Sequence, residues 1–132
     1  MKSIYLLFFA MMFLVVPSGT HGNAATKKIV APPARHQVQI GWASWYGRGF
    51  FNHRLSSHER YRADAIFVAH RSYPFGTKLR ITNLENNKML IAAVEDRGPY
   101  VPGRSLDLSR RAAELLGTTE RGVVRVSYEV VQ

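Results

Sequence analysis

Residues 78–94 read KLRITNLENNKMLIAAV, and their pattern decides the fold class. From Lys78 to Asn83 the chain alternates with a period of two. Leu79 and Ile81 share one face, and Lys78, Arg80 and Thr82 share the other. That is a strand with one buried and one wet side. Glu85-Asn86-Asn87-Lys88 supplies a hairpin turn, because Asn tolerates the left-handed region better than other non-glycine residues. Met89 to Val94 returns as the partner strand.

The same reading extends outward. Downstream, Asp96-Arg97-Gly98-Pro99-Tyr100 makes a sharp loop and Pro102-Gly103 follows it. Leu106-Asp107-Leu108 leads into a helix of about two turns, Arg110 to Leu116, with Ser109 as N-cap and Gly117 as C-terminal stop. Val124, Val126, Tyr128 and Val130 alternate with Arg125, Ser127 and Glu129 in a closing strand. Upstream, Tyr73-Pro74-Phe75-Gly76 is a turn and Ala65 to His70 a short strand. Phe50 to Arg62 is polar and irregular and reads as a long loop. Ile40, Trp42 and Ser44 alternate with Gly41, Ala43 and Trp45 in a first strand, ended by Tyr46-Gly47-Arg48-Gly49. At least five short strands, one helix and long loops make a mainly β fold. A small closed barrel is expected, since closure removes exposed edges.

The chain has 132 residues, room for one domain. It has no cysteine, which excludes a disulfide scaffold, a cysteine nucleophile, a thiolate metal site and a lipid-modified cysteine. Residues 1–22 read as a secretory signal: Lys2, then the apolar run Ile4 to Val16, then Pro17 and small residues. The run suits a signal core and is too short for a stable anchor, so no membrane anchor is expected after cleavage. Residues 23–39, with Pro32-Pro33, read as a linker, and residues 40–131 as the folded domain. Lys and Arg number 18 against 9 Asp and Glu, a net +9. Removing Lys2 with the signal leaves 17 − 9 = +8. The expected location is the periplasm or beyond the cell. There the anionic partners are wall polymers and headgroups, with no nucleic acid among them. The same charge also serves solubility alone. A monomer is expected.

No phosphate-binding loop, serine triad or helical zinc pair is present. His53 and His58 share a loop but lack a third ligand, so neither a metal nor a cofactor is expected. Four of the nine acids read as solvating: Glu85, Glu120 and Glu129 at turns or on a strand face, and Glu114 on the helix. Glu59, in the long loop, and Asp96, at the end of an apolar strand, differ, because functional groups concentrate on loops held by rigid elements. Glu59 also fits a plain surface acid, and Asp96 a cap of its own loop. Trp42, Trp45, Tyr46, Phe50, Phe51, Tyr61, Tyr73 and Tyr100 surround these loops. Aromatic faces stack on sugars and on apolar residues alike, so aromatics beside two acids suit a polysaccharide groove. Trp42 and Trp45 point opposite ways on one strand, so at most one faces the core fully.

Six motifs in order carry a resemblance. They are Gly41-Trp42-Ala43-Ser44-Trp45-Tyr46-Gly47; Ala69-His70; Pro74-Phe75-Gly76-Thr77 leading to Ile81-Thr82-Asn83; Glu95-Asp96-Arg97-Gly98-Pro99-Tyr100; Gly103-Arg104-Ser105-Leu106-Asp107-Leu108-Ser109; and Ala112-Ala113 with Leu116-Gly117. Over residues 40–131 the chain resembles the RlpA-like proteins (rare lipoprotein A, or septal ring lytic transglycosylases). The resemblance implies a small six-stranded double-psi β-barrel with one or two short helices. It implies cleavage of the β-1,4 bond between N-acetylmuramic acid and N-acetylglucosamine in peptidoglycan strands, leaving a 1,6-anhydro end.

It also implies Glu59 and Asp96 as the catalytic carboxylates. Glu59 falls in a segment that usually reads Thr-Ala-Ser-Gly-Glu, and Asp96 in the Asp-Arg-Gly-Pro motif. His70 matches a family histidine, and Trp45, Tyr46, Arg97 and Tyr100 are the further candidates for substrate binding. Glu59 would protonate the leaving oxygen, an acid near apolar groups keeping its proton near neutral pH. Asp96 would stabilise positive charge on the ring or orient the attacking hydroxyl. Arg97 and Arg104 fit either a lactyl carboxylate or support of Asp96 and Asp107, with pairing of Arg104 and Asp107 expected. The chain departs from the family pattern: Leu55 stands where Thr is usual, His58 where Gly is usual and Glu95 where Asn is usual. A glycine there signals a backbone that His58 would adopt only under strain. The alternatives are a non-catalytic, expansin- or barwin-like polysaccharide-binding barrel and a hydrolase of another β-1,4-glucan.

Overall fold

The computed structural model describes residues 37–131. The expected signal at 1–22 and residues 23–36 of the expected linker lie outside the described residues. Six strands form β1 (Gln39–Trp45), β2 (Phe67–Ala69), β3 (Lys78–Asn83), β4 (Met89–Asp96), β5 (Arg104–Leu108) and β6 (Val124–Val131), with helix α1 (Arg110–Leu116) between β5 and β6. They close into a barrel in the order β1-β5-β2-β4-β3-β6. Two pairs are parallel, β1 with β5 and β2 with β4; the other four contacts are antiparallel. This is the six-stranded β-barrel with a short helix that the sequence implies, and Arg48–Phe50 adds a single 3-10 turn.

The hairpin is where the alternation puts it. Leu79 and Ile81 are fully buried while Lys78 and Arg80 face water. Asn87 turns the chain at φ 60°, and the Asn87 N–H donates to the Asn83 carbonyl at 2.8 Å. The helix signals hold as well. Ser109 Oγ accepts from Ala112 N, and Gly117 ends α1 at φ 65°. Leu79, Ile81, Val94, Leu106, Leu108, Val124 and Val126 fill the barrel, with α1 closing one end through Ala112, Ala113 and Leu116. Gly41 lets β1 and β5 approach, because a Cβ there would collide with the Ser105 side chain.

Two features differ from the sequence reading. β5 is a full strand where Leu106-Asp107-Leu108 read only as a lead into the helix; it pairs with both β1 and β2 and completes the barrel. Residues 50–62 are not a plain polar loop. Arg54 and Arg60 pair as an antiparallel bridge, and Leu55, Tyr61 and Phe67 form a second small core with Tyr46, Phe51 and Ala65 packed on it. Burying Leu55 and Tyr61 gives the segment an apolar anchor that its polar composition conceals.

Candidate active site

Asp96 closes β4 and is half-buried, lining a cavity of about 410 Å³. Its carboxylate accepts three side-chain or loop hydrogen bonds. The Tyr46 hydroxyl donates to Oδ2 at 2.7 Å. The Ser56 N–H and hydroxyl donate to Oδ1 at 2.9 and 2.7 Å. Burial pushes the Asp96 carboxyl up. The bonds from Ser56, from Tyr46 and from the Arg97 N–H outweigh that and hold it below the usual carboxylate range. Tyr46 shows the converse: burial, then the bond and charge of Asp96, keep its phenol protonated well above the ordinary range.

Asp96 is therefore also the dock for the 50–62 segment. Next to the Ser56 bonds, the Ser57 N–H donates to the Glu95 carbonyl at 3.1 Å. The segment then turns at His58, whose φ is 74°. The left-handed backbone expected from a glycine at this position is kept, with histidine carrying the strain. Leu55 N donates to the Glu59 carbonyl at 2.8 Å and closes the loop. The segment delivers Glu59 to the surface: Glu59 is exposed and is not among the residues lining the cavity. The apolar surroundings expected for it are occupied by Leu55 and Tyr61.

The other candidates divide. Tyr46, Arg97 and Tyr100 line the cavity with Asp96, together with Phe50, His53, Arg54, Leu55, Tyr61, Gly98, Pro99 and Asp107. Tyr100 is 78% exposed at its mouth. The Arg97 guanidinium is turned away from Asp96. Its Nη1 donates to the Tyr73 and His70 carbonyls at 2.8 and 3.2 Å, and it stacks on Phe75 at 3.8 Å. Trp45 packs against the barrel core and lines neither cavity, while Trp42 is the exposed tryptophan of β1. His70 lies in a neighbouring cavity with Arg71, Ser72, Arg104, Ser105 and Tyr128. Its Nδ1 accepts from the Ser72 and Tyr73 N–H groups at 3.2 and 3.1 Å, and its ring stacks on Tyr73. Burial, with the charges of Arg71 and Arg97, holds His70 below the usual imidazole range.

The expected Arg104–Asp107 ion pair is corrected. Both residues meet instead on Ser44, whose hydroxyl donates to Asp107 Oδ1 and accepts from Arg104 Nη1 at 3.3 Å. Ser44 and Ser56 are the site residues that sequence reasoning missed. Glu85, Glu114 and Glu129 make surface ion pairs, with Arg121, with Arg110 and Arg111, and with Arg80. Such pairs contribute little to stability and leave Asp96 and Asp107 as the carboxylates facing the cavity.

A barrel with these two parallel strand pairs and an aspartate at the end of β4 defines the class, a double-psi β-barrel. Residues 38–128 match the family model described as lytic transglycolase, and the chain belongs to that family. It is 42% identical over 96 residues to a probable endolytic peptidoglycan transglycosylase RlpA of Synechocystis, covering 73% of this chain and 30% of that protein. It is 42% identical to the endolytic peptidoglycan transglycosylase RlpA of Campylobacter jejuni, over 69% of this chain and 33% of the relative. With the Pseudomonas aeruginosa counterpart the identity is 41%, over 73% and 28%. The chain thus spans about a third of the length of these relatives. Among solved structures, a mutant Clavibacter michiganensis expansin in complex with cellohexaose superposes with a TM-score of 0.58 at 25% identity, over 73% of this chain and 51% of that one.

Proposed function

We propose that the protein is an endolytic peptidoglycan lytic transglycosylase acting in the periplasm or outside the cell. The observation that carries this is the carboxylate of Asp96, held ionised at the cavity by Tyr46 and Ser56, with the loop that presents Glu59 docked on it. The family membership and the named relatives support the same reading.

In this mechanism Glu59 gives its proton to the glycosidic oxygen of the leaving N-acetylglucosamine. The C1–O bond breaks as positive charge develops on the muramic acid ring, facing the ionised Asp96. The C6 hydroxyl oxygen closes on C1, and its proton returns to Glu59. No water is consumed, so the product end is 1,6-anhydro. Tyr100 and Tyr46 offer aromatic faces to the sugars, while Arg97 positions the loops that carry His70 and Asp96. The acting unit is a monomer, and nothing in the mechanism calls for a cofactor.

The exposure of Glu59, off the cavity wall, favours a second reading: a barrel that holds wall polysaccharide without cutting it. Digestion of purified sacculi with the chain, followed by mass spectrometry, separates the two. Muropeptides with 1,6-anhydro ends support the transglycosylase. Reducing ends mean a hydrolase, and bound sacculi with no soluble product mean the binding barrel.

A further inference from the structure

The cavity that holds His70 has a volume of about 260 Å³ and is built from three strands. His70 and Arg71 follow β2, Arg104 and Ser105 open β5, and Tyr128 lies on β6. Its two arginines are fixed in place by neutral groups alone. Arg71 Nε donates to the Pro99 carbonyl at 2.8 Å and Nη2 donates to the Arg104 carbonyl. Arg104 Nη1 donates to Ser44 Oγ. Among the described residues neither makes an ion pair, although Arg62, Arg80, Arg110, Arg111 and Arg121 all do. Two guanidinium groups with no carboxylate bonded to them directly, Asp107 reaching Arg104 only through the Ser44 hydroxyl, form a receptor for one, since their remaining N–H groups match a planar anion. His70 adds a donor: its Nδ1 is occupied as an acceptor, which leaves the proton of the neutral ring on Nε2.

We propose that this cavity is a carboxylate-binding subsite for an acidic substituent of the glycan, a role that rests on the peptidoglycan reading above. The residues lining the two cavities are joined by hydrogen bonds. Ala69 pairs with Asp96 in the β2–β4 register, the His70 N–H donates to the Asp96 carbonyl, and Arg71 ties back to Pro99. On this proposal, a glycan that runs from Asp96 past Pro99 brings a substituent to Arg71 and Arg104. The carboxylate has two possible sources on a peptidoglycan strand, the lactyl ether of muramic acid and an attached peptide.

Binding, read without turnover, tests the subsite. The N-acetylglucosaminyl-muramic acid disaccharide is titrated in three forms: the free lactyl acid, its methyl amide, and a lactyl-linked peptide whose carboxylates lie on the peptide. Backbone amide shifts report the site. The free acid is expected to shift Ser72 and Ser105 and to bind roughly tenfold or more tightly than the methyl amide. Arg71→Gln and Arg104→Gln are expected to erase that preference. If the peptide form matches the free acid, the carboxylate comes from the peptide; if it matches the amide, from the lactyl group. Equal affinity for the acid, methyl amide and peptide forms in the unmodified protein overturns the subsite, as do carboxylate-dependent shifts confined to residues 96–100. That comparison needs no variant to fold. A protein that prefers the acid yet cuts nothing keeps the subsite and loses the transglycosylase, and one that cuts without preference does the reverse.

Discussion

The Tyr46 hydroxyl donates to Asp96 Oδ2 at 2.7 Å across 50 residues of sequence, while Ser56 holds the other oxygen of the same carboxylate. One side chain thereby joins the end of β1, the end of β4 and the loop that carries Glu59. Asp96 is a structural latch as well as the candidate reacting group, and this dual role shapes what its neighbours do.

Replacing Tyr46 with Phe removes one donor to the ionised form. Asp96 then titrates higher, and the protein loses about 1.5 kcal/mol. Because Asp96 lies below its unfolded value, its contribution is present above about pH 4 and fades as pH falls through the folded value. Acid unfolding followed by circular dichroism is therefore expected to begin at higher pH in Tyr46→Phe than in the parent.

His58 occupies the left-handed region at φ 74°, where a non-glycine residue is strained by roughly 1–2 kcal/mol. Glycine there removes the strain but adds freedom to the unfolded chain, an opposing ~0.4–1 kcal/mol. His58→Gly is expected to stabilise by about 0.5 kcal/mol in urea titration, and His58→Val to destabilise. A neutral response to both would show that the backbone does not hold this conformation in solution.

Leu55 anchors the loop through the small core with Tyr61 and Phe67. Leu55→Ala is expected to cost about 2 kcal/mol, the low end for a buried leucine, since a surface loop can partly collapse on the space. Amide exchange over residues 52–60 should speed up with it while β3 and β6 remain protected.

His70 carries a further pH dependence. Burial and the cations Arg71 and Arg97 lower its pKa, so below about 6.5 the unfolded chain binds a proton that the folded one resists. Stability is expected to fall as pH drops through that range and to level off below the folded value. His70→Asn, which keeps an acceptor for Ser72 and Tyr73, should flatten the profile in urea unfolding between pH 5 and 7.5.

What was legible in the sequence was local. The β3–β4 hairpin, the Ser109 cap and the Gly117 stop each rest on neighbours a few residues apart. β5 was not legible from pattern, because Leu106 and Leu108 are only two alternating positions and its partners, Trp42 and Val68, are far away in the chain. The same holds for the site. Asp96 stands out as an acid ending an apolar strand. Its dependence on Tyr46 and Ser56, and the meeting of Arg104 and Asp107 on Ser44, are contacts that only the closed barrel creates. The loop holding Glu59 reads as polar because its apolar anchors, Leu55 and Tyr61, are separated by five mostly charged or hydroxylic residues.

In the proposed mechanism Asp96 serves chemistry as well as the latch. Asp96→Asn retains an acceptor oxygen and close to the same shape, and removes the charge. The measurement is the rate of release of 1,6-anhydro-muropeptides from sacculi by Asp96→Asn and the parent, with sacculus binding recorded on the same samples. Binding is expected to stay within about twofold and release to fall by at least ~100-fold, as for loss of an electrostatic stabiliser of the transition state. Unchanged release with unchanged binding would contradict it and leave Asp96 as a latch alone.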